Sequence, residues 1–505
     1  MSYIDEKEAP KREARLGTCI EYGGSACELK RKFGGGCLKN NKRAFGQGSI
    51  CQLLPALAIL NTLRNAVVIV HGAIGCGGVS HTQSASLRLG QIADGDKNPQ
   101  GALWLSTNLG ETDVIAGGEA KLRQAIRETD RRYRPQVIVV LSTCVPGIIG
   151  DDLDSITAQM RAEVNAVLLP VHCEGFKTKV MATAYDAIFH AAFRNLVASE
   201  PARTPALEDA LDRAKEKIRR SRLVNLLNVS SMTGGDQREL VRLLNKLGLE
   251  ANAFPCEARP EAFQLATEAA LSISVCPTHD DYFLTHLQER YGVPYLHGQM
   301  PIGMNNTSIW LRQIARFFGL EAVAEKIIAK ETYDLNQALA PFKARLQGVK
   351  VMISAGEVRT LATAVWLQEL GMEVVAVRPY HFDRFGEVEL EKLVVMNPDL
   401  KTNVATAQPF EAVNLIARVK PAVYLGHVAD NVWAAKAGVS VLPIYGGPNV
   451  YNGYAGAYDI ARRITRLLKN TAFVRNLQQH VRQPYQQDWY SQDPFKYIRQ
   501  GDIET

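Results

Sequence analysis

Several cysteines of this chain lie shortly after apolar segments of the kind that form buried strands. These cysteines are Cys76, Cys144, Cys173 and Cys276. Thiolates are the protein groups that hold iron–sulfur clusters, and they select soft metal ions in general. With nine cysteines in 505 residues, the chain has too little cysteine for a disulfide scaffold. The grouped thiols therefore indicate metal or redox chemistry, although any single one can equally be a small buried residue.

The sequence lacks the nucleotide-binding signatures that would suggest other chemistry. No G-x-x-x-x-G-K-S/T loop occurs, so we do not expect the chain to hydrolyse ATP. No G-x-G-x-x-G follows a strand with an acidic residue about 20 positions further on, which argues against a simple NAD dehydrogenase. No C-x-x-C pair occurs either, so any cluster must take its ligands from distant segments.

Composition and charge limit the class of protein and the partners that we expect. The chain is 46% hydrophobic and 22% charged, with a net charge of +6. These values are typical of a globular protein, and the dense basic stripe of a nucleic-acid binder is missing. No apolar run reaches the ~20 residues that span a bilayer, and the charged N-terminus has no apolar signal core. We therefore expect a cytoplasmic protein without nucleic-acid or membrane partners.

Apolar segments that alternate with amphipathic stretches must position these thiols. The predicted strands include 66–70, 136–141, 166–171, 223–229, 271–275, 350–354 and 373–377. This alternation predicts parallel sheets covered by helices, in which ligands bind beyond the carboxyl ends of the strands. We expect an α/β fold of three doubly wound Rossmann-like domains, at residues 47–220, 221–345 and 346–470. An N-terminal extension, 1–46, and a C-terminal tail, 471–505, complete the predicted organisation.

The segments around three of the cysteines resemble the large subunits of the nitrogenase superfamily. They are CQLLP from Cys51, HGAIGCG around Cys76, and STCVP around Cys144 followed by IGDD. In that family, three cysteines in this layout bind half of a P-cluster-type iron–sulfur cluster that bridges two homologous subunits. The resemblance therefore implies that Cys51, Cys76 and Cys144 ligate such a cluster. It also implies a homologous β subunit as partner, in an α2β2 heterotetramer.

A second part of the resemblance concerns an active-site cofactor. The stretch His172–Phe176, HCEGF, is similar to a stretch of the catalytic α subunits. Cys276 falls where α subunits and their assembly-scaffold relatives carry the cysteine that binds one terminal iron of the cofactor. The resemblance thus implies that Cys276 anchors a complex iron–sulfur cofactor, whose heterometal and organic acid the sequence does not specify. We interpret Cys173 as a buried structural residue.

The chain departs from nitrogenase where the cofactor would be exposed to substrate. Nitrogenase α subunits carry a glutamine and a histidine there, and this chain carries Met181 and Tyr185. The pocket is therefore expected to be more apolar and to relay protons differently. The histidine that is the second cofactor ligand in nitrogenase falls at Tyr445, so we do not expect dinitrogen reduction. His381 and His427 are candidate replacements, and for either one a histidine without a metal role is the alternative.

Three functions remain compatible with the resemblance. The first is the catalytic α subunit of a methylthio-alkane reductase type of enzyme, which cleaves carbon–sulfur bonds of small thioethers. Its electrons would come from an ATP-dependent iron–sulfur reductase homodimer, and Met181 and Tyr185 would line the catalytic face. The alternative is a cofactor-assembly scaffold that holds a precursor cluster through Cys276. A tetrapyrrole reductase fits less well, because those enzymes need no cysteine anchor, and the HCEGF stretch favours the first function.

Overall fold

A computed structural model describes residues 3–34, 41–47, 51–93, 95–197, 210–228, 234–444 and 449–500. The chain divides into two compact units. The first unit comprises Met1–Arg12, Cys51–Gly298 and Gly446–Pro448. The second unit comprises Glu13–Ile50, Gln299–Tyr445 and Asn449–Thr505. The second unit therefore combines segments that are far apart in the sequence, whereas the first unit is built almost entirely from one continuous segment.

The strands alternate with helices along the chain. The strands are β1 (Glu21–Ser25), β2 (Asn41–Arg43), β3 (Ala66–His71), β4 (Trp104–Ser106), β5 (Val137–Ser142), β6 (Val167–His172), β7 (Leu223–Asn228), β8 (Glu250–Pro255), β9 (Leu271–Ser274), β10 (Tyr295–Leu296), β11 (Lys350–Ala355), β12 (Glu373–Pro379), β13 (Lys401–Ala405), β14 (Val423–Gly426), β15 (Ser440–Pro443) and β16 (Ile498–Gln500). The helices are α1 (Arg12–Leu16), α2 (Ala26–Gly34), α3 (Leu53–Leu60), α4 (Ile74–Ala93), α5 (Glu111–Ala116), α6 (Glu119–Tyr133), α7 (Cys144–Ile149), α8 (Leu153–Met160), α9 (Thr183–Ala192), α10 (Ala210–Arg220), α11 (Gly234–Lys246), α12 (Glu261–Leu265), α13 (Pro277–Tyr291), α14 (Met304–Phe318), α15 (Glu321–Leu346), α16 (Glu357–Glu369), α17 (Glu387–Met396), α18 (Pro409–Val419), α19 (Val428–Lys436), α20 (Gly453–Lys469) and α21 (Ala472–His480).

The first sheet of the first unit has the order β4-β3-β5-β6, and all its pairs are parallel. Its central strand β5 is buried along its whole length. Ile138 and Val140 pack in one core with α6 and α8, and Val139 and Leu141 pack in another with α3 and α9. Helices thus cover both faces, which explains why β5 is an uninterrupted apolar run rather than an alternating one.

The second sheet of the first unit has the order β10-β9-β7-β8 and is also parallel. Its helix α13 packs against α9, the helix that covers the first sheet. Phe283 of α13 lies 5.0 Å from Phe189 of α9 between ring centroids, and the two sheets share one hydrophobic core. Because their cores are continuous, these two sheets form a single compact unit. The division of this segment into two domains near residue 220 stays a prediction.

The third sheet lies in the second unit, in the order β1-β13-β12-β11-β14-β15. All pairs are parallel except that β1, from the predicted N-terminal extension, runs antiparallel to β13. The sequence predicts that residues 299–345 belong to the domain of the second sheet, but in the structure they belong to the unit of the third sheet. The reason is that α14 and α15 pack against each other and against α20.

The predicted fold class is confirmed, since parallel sheets covered by helices account for the main strands of both units. Several elements are longer than the sequence indicated. Helix α13 begins at Pro277, because proline is well accommodated in the first turn of a helix. Among the helices of the described ranges, none combines the length and apolar character needed to cross a bilayer.

Candidate functional site

Three of the predicted cluster cysteines lie in loops and helix starts at one end of the first sheet. Cys144 is the first residue of α7, directly after β5, and Cys76 lies in the first turn of α4, after β3. Strands β3 and β5 are paired side by side, with His71 opposite Ser142 at their carboxyl ends. Cys51 precedes α3. The parallel pairing of β3 and β5 thus brings together thiols that are far apart in the sequence.

Gly175 of the HCEGF stretch lies between two of these thiols. A Cβ atom at Gly175 would lie 3.4 Å from the Sγ atoms of both Cys51 and Cys144. The Gly175 amide donates a hydrogen bond to Cys144 Sγ over 3.2 Å. Only a residue without a side chain leaves this space open between the two sulfurs, and hydrogen bonds to sulfur are a means by which proteins tune clusters.

Cys76 shares the same site. Burial raises the pKa of the Cys76 thiol, a hydrogen bond with Thr143 lowers it, and the neighbouring Cys144 and Cys51 thiols raise it further. In the described part of the chain, the groups of potential ligands whose atoms all lie within 4.8 Å of one another do not include this trio. A single tetrahedral ion with bonds of about 2.3 Å would need sulfurs closer than about 4 Å. The three sulfurs are therefore spaced more widely than one tetrahedral ion requires.

Exposed apolar side chains, which we call the apolar rim, lie on the segments that carry the thiols and on α5. Cys51 is exposed, and Cys76 and Cys144 are half-buried. The exposed fractions of this apolar rim are 58% for Ile74, 88% for Ile115, 73% for Ile148 and 56% for Phe176. Ile74 and Ile148 flank cysteines on α4 and α7, Phe176 follows Gly175, and Ile115 lies on α5, which packs against α7. An apolar surface of this kind is typical of a protein-binding face.

A buried histidine supports the loops that carry Cys76 and Cys144. His71 Nε2 lies 2.9 Å from Asp151 Oδ2, and its Nδ1 lies 3.0 Å from Thr107 Oγ1. Burial lowers the pKa of His71, while the Asp151 carboxylate opposes this effect. The hydroxyl of Thr143 donates to the His71 carbonyl over 2.8 Å. Gly72 is required here, because its φ is positive and a Cβ atom would collide with Thr143 Oγ1.

Charged side chains form a network beside Cys144 and Gly175. Burial alone would lower the pKa of His172, but hydrogen bonds with Asp154 and Glu174 raise it to about 9. Burial alone would raise the pKa of Glu174, but hydrogen bonding, chiefly with His172, lowers it to about 2. The Ser142 hydroxyl donates to Glu174 over 2.8 Å. The network is therefore ionised at neutral pH and holds the HCEGF stretch against the end of β5.

Cys276 occupies a different place in the first unit. It is 4% exposed and occupies the N-cap position of α13, just after β9. The positive end of the helix dipole favours negative charge at this position. The amide of His279 donates to the Cys276 carbonyl over 2.8 Å, and the His279 ring lies 4.0 Å from the Tyr185 ring between centroids. His279, which sequence reasoning missed, thus links Tyr185 to the turn of Cys276.

Arg12 joins the two helices that carry these residues, and nothing in its sequence neighbourhood indicated this role. Its guanidinium group is fully buried and lies 3.3 Å from Asp186 of α9 and 3.0 Å from Asp281 of α13. Asp186 follows Tyr185 directly, so this ion-pair network fixes the Tyr185 helix against the Cys276 helix. Met181 is half-buried in the turn that precedes α9.

The remaining predicted residues lie elsewhere. His381 is buried in the second unit, where it groups with Glu357 and Asp383. His427 is the half-buried N-cap residue of α19, and desolvation together with the nearby Arg359 lowers its pKa to about 4. Tyr445 lies outside the described residues. Cys173 is 1% exposed and packs in the core, and burial raises its pKa well above the usual range. The interpretation of Cys173 as a buried residue is therefore confirmed.

The parallel sheets and the thiols at their strand ends define the class of this protein. It is a doubly wound α/β protein in which Cys51, Cys76 and Cys144 lie beside one end of the first sheet. The family model described as nitrogenase component 1 type oxidoreductase matches residues 51–469. Because the match covers most of the chain, the protein belongs to this family.

Individual relatives and solved structures agree with the family. The chain is 28% identical to the nitrogenase iron-molybdenum cofactor biosynthesis protein NifE of Rippkaea orientalis, over 90% of this chain and 91% of that protein. It is 29% identical to NifE of Methanosarcina barkeri, over 85% and 90%. It is 24% identical to the nitrogenase molybdenum-iron protein alpha chain of Methanosarcina barkeri, over 83% and 85%. The structure of nitrogenase Cp1 at pH 5 shares the fold, with a TM-score of 0.68, 20% identity and coverage of 87% and 91%.

Proposed function

We propose that this chain is the α-type subunit of a nitrogenase-like protein and that Cys51, Cys76 and Cys144 hold one half of an iron–sulfur cluster. The observation that carries this proposal is that Cys51 and Cys144 lie on either side of Gly175 and that both of them neighbour Cys76. Cys173 also lies near Cys51, but it is buried in the core with a raised pKa and does not complete the set. A homologous β subunit would supply the remaining ligands.

The residues around the thiols fit such a cluster. When bound, the cluster would supply one-electron transfer between partner and cofactor. Gly175 keeps the space between Cys51 and Cys144 free, and its amide donates to Cys144 Sγ. The apolar rim, Ile74, Ile115, Ile148 and Phe176, would pack against the β subunit and exclude water from the cluster.

We propose further that Cys276 anchors a second, complex iron–sulfur cofactor. A buried thiol at a helix N-terminus is suited to one terminal iron, because the helix dipole favours a thiolate there. Tyr185 and His279 lie beside this turn and would shape the cofactor face. Arg12 would hold α9 and α13 in a fixed position relative to each other, because it forms ion pairs with both helices.

The function supported best is that of a cofactor-assembly scaffold, which holds a precursor cluster and hands it on. The relatives at 28–29% identity are named as cofactor biosynthesis proteins, whereas the nitrogenase alpha chains among the relatives are 24–26% identical. A single thiolate anchor at Cys276 suits release of the cluster. The replacement of the catalytic glutamine and histidine by Met181 and Tyr185 also suits a protein that does not reduce dinitrogen.

A catalytic function is the second candidate, favoured by the contact between Tyr185 and His279. A phenol and an imidazole are both proton carriers, and their ring centroids lie 4.0 Å apart beside the Cys276 turn. In this case the chain would be the α subunit of a reductase that cleaves small thioethers. An ATP-dependent iron–sulfur reductase would supply the electrons, and Met181 would make the pocket more apolar.

The two functions differ in what the loaded complex does. The chain is purified with its β subunit, and the iron content of the complex is measured. One sample is then incubated with a cofactor-free nitrogenase component 1. A second sample is incubated with a thioether, the reductase and ATP. A scaffold transfers iron to the recipient and leaves the thioether intact, whereas a reductase turns over the thioether and keeps its cofactor. If the complex that keeps Cys51, Cys76 and Cys144 contains no iron, both functions are refuted.

A matched pair of cysteine variants separates cluster binding from general effects. Cys51→Ala is expected to lower the iron content of the complex, because one of the three thiols is removed. Cys27→Ala is expected to leave it unchanged, since Cys27 is also an exposed cysteine but lies in the second unit. Equal iron content in the two variants would contradict the assignment.

A further inference from the structure

A cavity of about 400 Å³ lies in the first unit, beside the N-terminal segment 6–11. Its walls also include Gln52, which precedes α3, and His172 and Lys177, which lie at and after the end of β6. The volume falls in the range of about 300–1,000 Å³ that is typical of small-molecule sites. None of the cysteines assigned to clusters lines this cavity, so it is a separate candidate site.

Gln52 contributes a buried, unsatisfied polar atom to this wall. The side chain is 3% exposed, and its Nε2 donates to the Glu174 carbonyl over 2.8 Å. This hydrogen bond identifies Oε1 as the acceptor atom of the amide. Oε1 has no hydrogen-bond partner within the described part of the chain. Because buried polar atoms of native proteins are nearly always hydrogen-bonded, Oε1 indicates a donor that the chain itself does not supply.

Most of the charged side chains around the cavity are already paired with each other or with neighbouring carboxylates. The ion pairs are Lys177–Glu8 at 2.7 Å, Lys7–Asp152 at 2.8 Å and His172–Asp154 at 2.7 Å. Glu6 and Lys11 also line the cavity, and among the described residues no ion pair involves either side chain. The cavity therefore offers one uncommitted carboxylate and one uncommitted ammonium group.

These groups favour a ligand that carries both charges. A simple anion would be attracted by Lys11 and repelled by Glu6, and a simple cation would meet the reverse situation. A zwitterion satisfies both groups, and its ammonium protons are donors for Gln52 Oε1. Small apolar residues complete the lining and leave room for a carbon side chain, namely Ala9, Pro10 and Ala187.

We propose that this cavity binds a free α-amino acid. The carboxylate of the ligand pairs with Lys11, and its ammonium group pairs with Glu6 and donates to Gln52 Oε1. The main chain of an amino acid supplies both charges at a fixed short separation, so the site recognises the class of ligand rather than one side chain.

Gln52 also connects the cavity to the thiol site. It follows Cys51 directly, and the carbonyl that accepts from its Nε2 belongs to Glu174, the residue before Gly175. Gly175 in turn lies between the sulfurs of Cys51 and Cys144. A bound amino acid that fixes the Gln52 amide therefore also steadies the segment beside the thiols.

The test measures binding to the full chain by isothermal titration calorimetry, with glycine, L-alanine and L-leucine as probes. Each amino acid is compared with two matched compounds, the carboxylic acid that lacks its ammonium group and the amine that lacks its carboxylate. We expect one site per chain and at least tenfold weaker binding of both matched compounds. If none of the three amino acids binds, water alone satisfies Gln52 and the proposal is overturned. Equal binding of an amino acid and either matched compound would also overturn it.

Variants of the two uncommitted charges locate the ligand. Lys11→Met and Glu6→Gln are each expected to weaken binding at least tenfold, and both side chains are exposed, so the fold is expected to survive. Lys326→Met is the matched control, because it removes an exposed lysine of α15 in the second unit, and it is expected to bind as the native chain does. Native-like binding by either cavity variant, or equal weakening in the control, would overturn the proposal. Binding is measured without clusters, so this proposal and the proposed function can fail separately.

Discussion

Replacing Gly175 by alanine tests whether the three thiols form a cluster site. Gly175 has no positive φ, so alanine causes no backbone strain there and only space matters. The added Cβ would lie 2.9 Å from the Cys51 Cβ, whereas carbon atoms pack at about 3.5–4.0 Å. One of the two residues must therefore move by roughly 0.6–1.1 Å. Metal–ligand distances tolerate only about 0.2 Å.

The expected result is a loss of cluster with little loss of fold. Overpacking of this size costs about 1–3 kcal/mol in a rigid core, and Cys51 is exposed and can shift. The assay compares iron per complex, visible absorbance and the unfolding midpoint of the Gly175→Ala and native proteins. We expect iron at the shared cluster to fall severalfold, while the midpoint changes by only a few degrees.

The matched control is Gly78→Ala. Gly78 lies in α4, two residues beyond Cys76, and an added Cβ there would meet no atom within 4 Å. Alanine is favoured over glycine inside a helix by about 1 kcal/mol, so this variant should be at least as stable as the native chain. If both variants keep full iron content, Gly175 does not define the space between the sulfurs. If both lose iron equally, the steric argument is refuted.

Three further predictions concern the stability of the protein and the proposed cofactor site at Cys276. Arg12→Met should lower the free energy of unfolding by about 3–5 kcal/mol in denaturant titrations, because two buried aspartates lose their cation. Lys7→Met, which removes a half-exposed ion pair, should cost about 1 kcal/mol or less. Cys276→Ala should abolish the second cofactor and keep the shared cluster, as judged from iron per complex. His172 has a pKa raised to about 9, so its stabilising charge is fully present below pH 6.5 and is lost as the pH rises to about 9. His172→Asn should remove this decline in thermal unfolding curves.

Each of these expectations has an outcome that contradicts it. Equal destabilisation by the Arg12 and Lys7 variants would mean that the buried ion pairs contribute no more than a surface pair. Loss of all iron in Cys276→Ala would mean that Cys276 stabilises the whole first unit and does not bind only one cofactor. A decline between pH 6.5 and 9 that persists in His172→Asn would assign it to another group.

The local sequence predicts part of the cysteine site but not all of it. The strands before Cys76, Cys144 and Cys276 are visible as apolar runs, because strands of a covered parallel sheet are buried on both faces. Because ligands of doubly wound folds bind beyond the carboxyl ends of the strands, these thiols are expected at a ligand-binding edge. The meeting of Cys51 with the other two follows from the family resemblance and not from periodicity. Gly175 was part of a recognised stretch, but its position between the two sulfurs depends on how three loops pack.

The sequence by itself determined the fold class, the strand-end positions of the thiols and the absence of nucleotide-binding loops, because burial patterns and motifs are local. Only the tertiary structure decided that Arg12 joins α9 and α13, that His279 contacts Tyr185, and that residues 299–345 pack with the third sheet. It also grouped Glu357 with His381 and Asp383. These contacts join residues far apart in the chain, and their partners are chosen by sheet order and helix packing, which no local pattern encodes.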